Sequence, residues 1–361
     1  MKLNWKAVAG IAVSAFFIWW VLRGEDFSEI FTQIVTANPW YFIASIFVGT
    51  AGYFVRALRW RVLLLPLKAN TRLRSRFSGV SIGFAANNIF PARLGEIARA
   101  FALSRSESLP VSGVFGSLVV ERFLDSIVLV TMFLVPMAFR SFPGADGLLN
   151  GTVSSAMLGT TFGALAIFLT GLVVLLIFLK PLVQAARKVC LKIPGVAGSW
   201  IISALETIPR ALQVLRHPVL LTKALLWSYA FWLWHGLSFW LGFKAFGIDL
   251  GFEAALFTMA VVGFAVAIPA APGFFGTFQL GTDLSLSGVY GVPEATALAF
   301  SFGYHLGGFF PITIIGLYYA SRLGFSLREV QRSKILIHGP IGESAEPCPP
   351  GVAGAEGGDL V

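Results

Sequence analysis

The sequence carries little charge for its length. Only 12% of its 361 residues are charged, whereas soluble domains carry about 25%. Hydrophobic residues make up 56%, and the mean hydropathy is +0.78. Several apolar runs reach about 20 residues, the length that crosses a bilayer as a helix. This composition excludes an ordinary soluble domain and predicts an all-α polytopic membrane protein.

Two further absences limit the chemistry. The two cysteines, Cys190 and Cys348, lie in a basic loop and near the C-terminal end, so the sequence predicts neither a disulfide framework nor a metal site. The chain contains no Gly-x-x-x-x-Gly-Lys-Ser/Thr phosphate loop, and we do not expect ATP to drive its activity. No cofactor is predicted, and no residue is assigned as catalytic.

Acidic residues are also scarce, with 18 Asp and Glu against 27 Lys and Arg, which gives a net charge of +9. The basic residues lie in short segments between apolar runs, so we expect no nucleic-acid partner. Lys and Arg residues concentrated between apolar runs are typical of the positive-inside rule, by which cytoplasmic loops carry the excess of positive charge. The densest basic block, residues 56–76, predicts the cytoplasmic side. Both termini are expected in the cytoplasm, in a bacterial plasma membrane.

The apolar runs predict six full spans within a membrane domain of residues 1–338. The first run has no cleavage site after it, so we interpret it as a retained helix. An interfacial segment is expected at 180–218, and the tail 339–361, rich in Gly, Pro and Glu, is expected to be disordered. The predicted spans are 7–22, 40–61, 113–139, 156–179, 219–246 and 295–319.

Two other apolar segments are interrupted and predict broken-helix hairpins. Asn87, Asn88 and Pro91 interrupt the segment 77–102, and a Pro- and Gly-rich stretch interrupts 252–290. Asn and Pro are helix-start signals, so one half-helix is expected to end before Asn87 and another to begin near Pro91. Basic flanks predict that the first hairpin re-enters from the cytoplasmic side. For the second segment, either a hairpin that re-enters from the outer face or two full crossings would leave the basic end after residue 319 in the cytoplasm. The Pro- and Gly-rich stretch favours the hairpin.

The order of span, broken hairpin and span occurs twice, at 40–139 and 219–319. The two interruptions share a Pro-Ala-x-x-Gly motif, which begins at Pro91 and at Pro269. Hairpins that enter from opposite faces would relate the halves as an inverted-topology repeat. Interrupted helices at corresponding positions indicate the substrate site of a transporter.

Four ordered motifs carry a resemblance to a known family. They are Asn87-Asn88-x-x-Pro91-Ala92-Arg93-x-Gly95-Glu96-x-x-Arg99, Glu121-Arg122-x-x-Asp125, Pro269-x-x-Pro272-Gly273-x-x-Gly276-Thr277-Phe278, and His305. Together, over about residues 5–325, they resemble the lysylphosphatidylglycerol synthase transmembrane region, a flippase-like domain. The resemblance implies a bundle with re-entrant helices that moves a lipid between leaflets. We do not expect lysine transfer, because no aminoacyl-transferase domain follows.

The first hairpin carries a predicted lipid head-group site. Free N–H groups at a helix start bind anions, and Arg93 and Arg99 would add positive charge for a lipid phosphate. Alternatively, these polar groups only satisfy the broken backbone and neighbouring carboxylates. The predicted head-group residues are Asn87, Asn88, Arg93, Glu96, Arg99, Arg56 and Arg59.

The third span carries a predicted charge network of Glu121, Arg122 and Asp125. Arg122 and Asp125 are three residues apart and can pair on one helix. Glu121 and Asp125 repel each other unless a cation from another helix joins them. The candidate cations are Arg56, Arg59, Arg93 and Arg99. A structural ion network and a gating network are both open interpretations.

The second hairpin and the last span predict an outer polar site. An intramembrane Asp near a His is typical of proton-coupled carriers, but a His among aromatic residues is also commonly hydrogen-bonded in a core. The residues concerned are Pro272, Gly273, Gly276, Thr277, Gln279, Asp283 and His305.

These patterns lead to a lipid flippase-like carrier as the first hypothesis. Its expected partners are anionic phospholipids or isoprenoid-type lipids, and a homodimer is left open. One alternative is an intramembrane lipid-modifying enzyme with Glu121, Asp125 or Asp283 as acid or base. The other is a non-catalytic scaffold of a lipid or hopanoid pathway.

Overall fold

The structure, a computed structural model, describes residues 5–24, 26–90, 94–139, 142–143, 212–268 and 272–324. This part of the chain contains ten α-helices and no strand. The helices are α1 (Trp5–Leu22), α2 (Phe27–Thr36), α3 (Pro39–Leu64), α4 (Leu73–Ile89), α5 (Gly95–Glu107), α6 (Val111–Leu134), α7 (Pro218–Ala245), α8 (Phe252–Ala265), α9 (Thr277–Leu286) and α10 (Glu294–Arg322). Several predictions concern positions outside the described residues: the span 156–179, most of the interfacial segment 180–218, the tail 339–361, Pro91, Arg93 and Pro269.

Helix-capping side chains mark the starts of α2 and α3. Asn38 caps α3, with its Oδ1 accepting from the amides of Trp40 (3.1 Å) and Tyr41 (3.3 Å), and Pro39 follows at the first helical position. Helix α2 was not predicted from the sequence. Its signal is Asp26, whose Oδ1 accepts from the Ser28 amide at 2.8 Å.

Helices α3 and α7 form the central antiparallel pair. At one end, the Asn38 amide donates to the Ala245 carbonyl at 2.7 Å. Further along, Ser238 Oγ donates to the Ser45 carbonyl at 2.7 Å, and Trp234 Nε1 donates to the Val48 carbonyl at 2.7 Å. Residue numbers therefore rise along α3 while they fall along α7, so the two helices run in opposite directions.

Helices α4 and α5, and likewise α8 and α9, form two antiparallel helical hairpins. The prediction of a break in each segment is confirmed, but the predicted boundaries of the first break were wrong. Helix α4 continues through Asn87 to Ile89, and α5 begins at Gly95. Helix α9 begins at Thr277, because a 3-10 turn (Pro272–Phe274) with Gly273 at φ 72° comes before it. That left-handed conformation interrupts a right-handed helix.

The contacts between helices repeat in the two halves. When α3, α4, α5 and α6 are matched in order with α7, α8, α9 and α10, each contact within the first set has a counterpart in the second. The contacts between sets follow the same rule, since α4 packs on α10 as α8 packs on α6. The two halves therefore share one arrangement of four helices, as the sequence repeat predicts.

Each half has its own apolar core, and much of the outer surface is apolar. Trp60, Leu103 and Leu124 are fully buried in the first core, and Phe243 and Phe300 in the second. Large side chains on the outside of α3 and α10 are exposed, among them Trp40, Phe47 and Ile314. Among the described residues, α3 and α10 are long and apolar enough to cross a membrane. The count of six spans stays a prediction.

Candidate functional site

Glu121, on α6, is the centre of a buried cluster of charged side chains. Its side chain has no exposed surface, and both carboxylate oxygens accept from Arg99, with Nη1 at 2.7 Å and Nη2 at 2.8 Å. Arg56 Nε donates to the same carboxylate at 2.9 Å, and Arg59 Nη2 lies 3.2 Å from it. Two helices, α3 and α5, thus deliver three guanidinium groups to one carboxylate on α6.

Asp125 lies one turn further along α6 and extends this cluster. Its carboxylate forms an ion pair with Arg59 and accepts from Trp232 Nε1, on α7, at 3.0 Å. Arg56 Nη2 bridges toward it at 3.4 Å. Of the four candidate cations that the sequence offered, Arg56, Arg59 and Arg99 meet the two carboxylates; the fourth, Arg93, lies outside the described residues.

Arg122 belongs to the same cluster but has a different environment. Its Nη2 donates to Glu121 at 3.1 Å and lies 3.8 Å from Asp125, so the predicted pairing along α6 is present as a long contact. About half of its side chain is exposed (49%), whereas Arg56, Arg59 and Arg99 are almost fully buried. Arg122 is therefore the guanidinium of the cluster with the most surface open to a ligand.

Aromatic rings surround the buried guanidinium groups. The guanidinium carbon of Arg99 lies 3.9 Å from the ring centre of Trp60, whose Nε1 donates to Ser117 at 3.0 Å. Arg59 lies 4.9 Å from the ring centre of Phe231. Such cation–π contacts stabilise arginines that have lost their water. Sequence reasoning missed these rings, because aromatic residues are frequent along the whole chain.

The charged cluster borders a cavity of about 620 Å³ between the two halves. Both hairpins contribute to its wall, and most of the lining is apolar. A second cavity, of about 240 Å³, shares part of this wall. The first is lined by Arg56, Gly83, Phe84, Asn87, Glu96, Arg99, Arg122, Asp125, Ser126, Leu129, Phe133, Trp232, Gly263, Phe264, Val266, Ala267 and Phe274. Asn88, His235, Tyr304 and His305 are among the residues that line the second.

The two predicted asparagines connect the first hairpin to its surroundings. Asn87 Oδ1 accepts from the Gly95 amide at 2.7 Å and so caps the start of α5 from the last turn of α4. Asn88 Nδ2 donates to Thr313 Oγ1, on α10, at 2.8 Å. Because both side chains bond to other elements, they do not compete with the α4 backbone, and the helix continues past them.

Replacing Asn87 with alanine is expected to destabilise the start of α5. The loss of a cap acceptor costs about 1 kcal/mol, because the Gly95 amide is left without its side-chain partner. Hydrogen–deuterium exchange should show faster exchange in the first turn of α5. The first turn of α9, where Gln279 Oε1 accepts from the Gly276 amide at 2.9 Å, serves as the control and should not change. Unaltered exchange at Gly95 would contradict the capping role.

The structure brings together part of the predicted outer site. Gln279 Nε2 lies 3.3 Å from His305 Nδ1, and the His305 ring stacks on Phe278 with centres 4.4 Å apart. Thr277 Oγ1 donates to the Phe274 carbonyl at 3.1 Å. Asp283 lies one turn beyond Gln279, and its Oδ1 has no hydrogen-bond partner among the described residues. The predicted Asp–His relay is therefore not assembled in this structure.

The repeat also locates polar residues that sequence reasoning missed. Counted from the first residues of α3 and α7, Ser238 occupies the position of Arg59; counted from the first residues of α6 and α10, Tyr304 occupies that of Glu121. Ser238 Oγ and Tyr304 Oη are hydrogen-bonded at 2.6 Å. A neutral hydroxyl pair in the second half thus corresponds to the ion pair of the first.

These features define a helical membrane protein with a charged, internal cavity. The chain belongs to the family of the lysylphosphatidylglycerol synthase TM region, whose model matches residues 7–316. This confirms the family that the motifs indicated.

Three archaeal proteins are among the distant relatives of this chain. A UPF0104 membrane protein of Methanothermobacter thermautotrophicus is 24% identical over 86% of this chain and 91% of its own length. Another, from Methanocaldococcus jannaschii, is 27% identical over 36% of this chain and 40% of its own. Glycosyltransferase AglD of Haloferax volcanii is 24% identical over 81% of this chain. The match spans half of AglD and two fifths of the Methanocaldococcus protein.

Proposed function

We propose that this protein binds the phosphate group of an anionic lipid in the larger cavity and moves the lipid between leaflets without nucleotide hydrolysis. The observation that carries the proposal is an excess of positive charge in the wall of a largely apolar cavity. Among the described residues, the lining has three arginines and two carboxylates, Glu96 and Asp125. Arg59 and Glu121, directly behind the wall, leave this excess of one positive charge unchanged.

An anion in this cavity would interact strongly with that excess charge. Electrostatic attraction grows as the effective dielectric constant falls, and the apolar lining keeps it low. Arg122 is the residue best placed to reach a ligand, because its side chain is half exposed and it lines the cavity. A guanidinium has five N–H donors, so Arg122 can hold Glu121 and still bind phosphate oxygens.

The smaller cavity suits the apolar part of the same molecule. It adjoins the head-group cavity, and Phe84, Trp232 and Phe274 belong to both walls. Its other lining residues are mainly aromatic or aliphatic. A lipid with its phosphate at Arg122 would place the first part of an acyl or isoprenoid chain there.

The arrangement of the halves supports transport between leaflets. The hairpin helices have 17, 13, 14 and 10 residues, fewer than the roughly 20 that a crossing helix needs. The counterpart helices α3 and α7 are antiparallel, as an inverted-topology repeat requires. In transporters of this kind the substrate site lies between the repeats, and one half moves against the other. In this proposal both termini are cytoplasmic, and the chain itself performs no catalysis.

Replacing Arg122 with glutamine is expected to slow lipid translocation strongly. Losing a charged donor costs about 1.5–3 kcal/mol, which corresponds to roughly tenfold or more in rate. The measurement uses proteoliposomes with fluorescent phosphatidylglycerol or fluorescent polyprenyl phosphate, and dithionite to bleach the outer leaflet. Wild-type protein should accelerate the movement of at least one of these probes but not of fluorescent phosphatidylcholine.

A matched control is Lys244→Gln, which removes a positive charge that is paired with Asp249 at 3.0 Å, outside both cavities. It should translocate lipid at the wild-type rate. Equal rates for Arg122→Gln and wild type with both anionic probes would contradict the proposed site. Cleavage or transfer of the probe's head group, detected by mass spectrometry, would instead favour a lipid-modifying enzyme.

A further inference from the structure

A second group of basic side chains lies at the start of α4, away from the cavity. Arg76 is in the first turns of α4, and Gly83 is the first residue of that helix to line the cavity. Seven residues of helix separate them, about 10 Å along the axis. Trp60 and Arg99 lie between these levels, beside Gly79. Any ligand bound at Arg76 would therefore occupy a different site from one bound at Arg122.

The acidic residue that acts on Arg76, Glu107 at the end of α5, is already engaged. Its Oε2 accepts from Lys68 Nζ at 2.8 Å, and its Oε1 accepts from the Arg72 amide at 3.0 Å. Ser75 also donates to this carboxylate. Arg61, another cation, is close enough to Arg76 to act on its charge. The net charge of these described residues is therefore strongly positive.

Arg76 itself is buried without adequate partners. It is only 4% exposed, and its Nε and Nη1 have no hydrogen-bond partner among the described residues. A buried charge that lacks partners costs several kcal/mol, so buried guanidinium groups are normally paired. The hydroxyl of Thr71, just before α4, is likewise buried and has no partner in the described part of the chain.

The start of α4 offers further donors at the same place. The N-cap residue of this helix, Arg72, makes no side-chain cap hydrogen bond. The first amides of an uncapped helix bind anions, particularly phosphate. A long side chain in the first turns points back toward the helix start, which brings the Arg76 guanidinium toward these amides. A buried cation, a buried hydroxyl with no partner among the described residues and the start of α4 therefore fall within residues 71–76.

We propose that Arg76, Thr71 and the first turn of α4 form a binding site for a phosphate group, separate from the cavity. The phosphodiester of an anionic phospholipid and free inorganic phosphate share the required chemistry. A bound phosphate would accept hydrogen bonds from the Arg76 guanidinium, the Thr71 hydroxyl and the helix amides. The occupied site would tie the α3–α4 connection to the first hairpin and stabilise the protein.

The test compares Arg76→Gln with Arg74→Gln in the full-length chain. Both variants remove one positive charge from α4, but Arg74 is exposed. Each protein is placed in nanodiscs of phosphatidylcholine alone or with phosphatidylglycerol, and the thermal midpoint is measured. Native mass spectrometry counts the retained phosphatidylglycerol. In a separate arm, inorganic phosphate is titrated into the phosphatidylcholine nanodiscs.

Either phosphatidylglycerol or inorganic phosphate should raise the thermal midpoint of wild type and of Arg74→Gln. If the lipid is the stabilising ligand, native mass spectrometry should also show that both proteins retain phosphatidylglycerol. Arg76→Gln should lose more than half of this gain, yet fold in phosphatidylcholine, since it removes an unpaired buried charge. Arg76→Lys keeps the charge and should retain an intermediate gain. Stabilisation by phosphatidylglycerol alone identifies the lipid as the source, and stabilisation by inorganic phosphate identifies the free anion. An equal gain in all variants, or an equal loss in Arg74→Gln, would overturn the proposed site.

Discussion

Replacing Glu121 with glutamine is expected to lower the free energy of unfolding by about 3–5 kcal/mol, the usual cost of breaking a buried ion pair. Glu121 accepts from Arg56, Arg99 and Arg122, and its side chain has no exposed surface. A neutral amide would remove the central negative charge from these three guanidinium groups and from Arg59, which lies 3.2 Å away, and would leave Asp125 as the neighbouring carboxylate on α6. Thermal unfolding in detergent micelles measures the loss.

The matched control for this prediction is Arg122→Gln. Arg122 contributes to the same carboxylate, but its side chain is half exposed, so its removal should cost less than about 1 kcal/mol. A second check is the double variant Glu121→Gln/Arg99→Met, which should be less destabilised than the sum of the two single changes, because each removes the other's unpaired charge. If Glu121→Gln were as mild as Arg122→Gln, the ion cluster would contribute little to folding.

The sequence alone was enough to predict the members of this cluster. Charged side chains are costly in an otherwise apolar chain, so Glu121 and Asp125 had to meet cations from other helices. The candidates on the same side of the membrane were Arg56, Arg59, Arg93 and Arg99. Three of these four arginines are in contact with the two carboxylates. A strong physical constraint and few candidate residues made this part of the site predictable.

Other parts of the site depend on packing that no local pattern records. The Trp232 contact with Asp125 joins residues more than 100 positions apart, and aromatic residues are too common here to single it out. The start of α5 was placed too early because the Asn87 side chain acts across the hairpin, not at its own helix start. Asp283 and His305 looked like partners by residue type, but Asp283 lies one helical turn beyond the Gln279 that contacts His305.

The two halves share a pattern of helix contacts but differ in charge at corresponding positions. The first half has an ion pair, Arg59 with Glu121, where the second half has the hydroxyl pair Ser238 and Tyr304. Among the described residues, the charged pair at these corresponding positions therefore belongs to the first half. If the halves exchange conformations during transport, a phosphate would be held more tightly in one state than in the other. That difference gives the cycle a preferred resting state.

Replacing Gly316 with alanine is the second change with a large expected effect. Gly316, on α10, faces the backbone of α4, where an added Cβ would overlap the Ser81 carbonyl oxygen and the Ala85 methyl group. Because a backbone carbonyl cannot swing away as a flexible side chain can, α4 and α10 would have to separate. Overpacking of this kind costs about 1–3 kcal/mol. The thermal midpoint should fall accordingly.

Gly308→Ala, on the same helix, is the control for this effect. No heavy atom lies within 4 Å of a Cβ at Gly308, so the change should stabilise α10 by about 0.5–1 kcal/mol through helix propensity. If Gly316→Ala lowers the thermal midpoint and Gly308→Ala raises it, close contact of α4 with α10, and not helix propensity, limits stability. If both variants were stabilised, α4 would tolerate displacement from α10. The Asn88–Thr313 hydrogen bond across this interface could then break without loss, and the first hairpin would be free to move on its own.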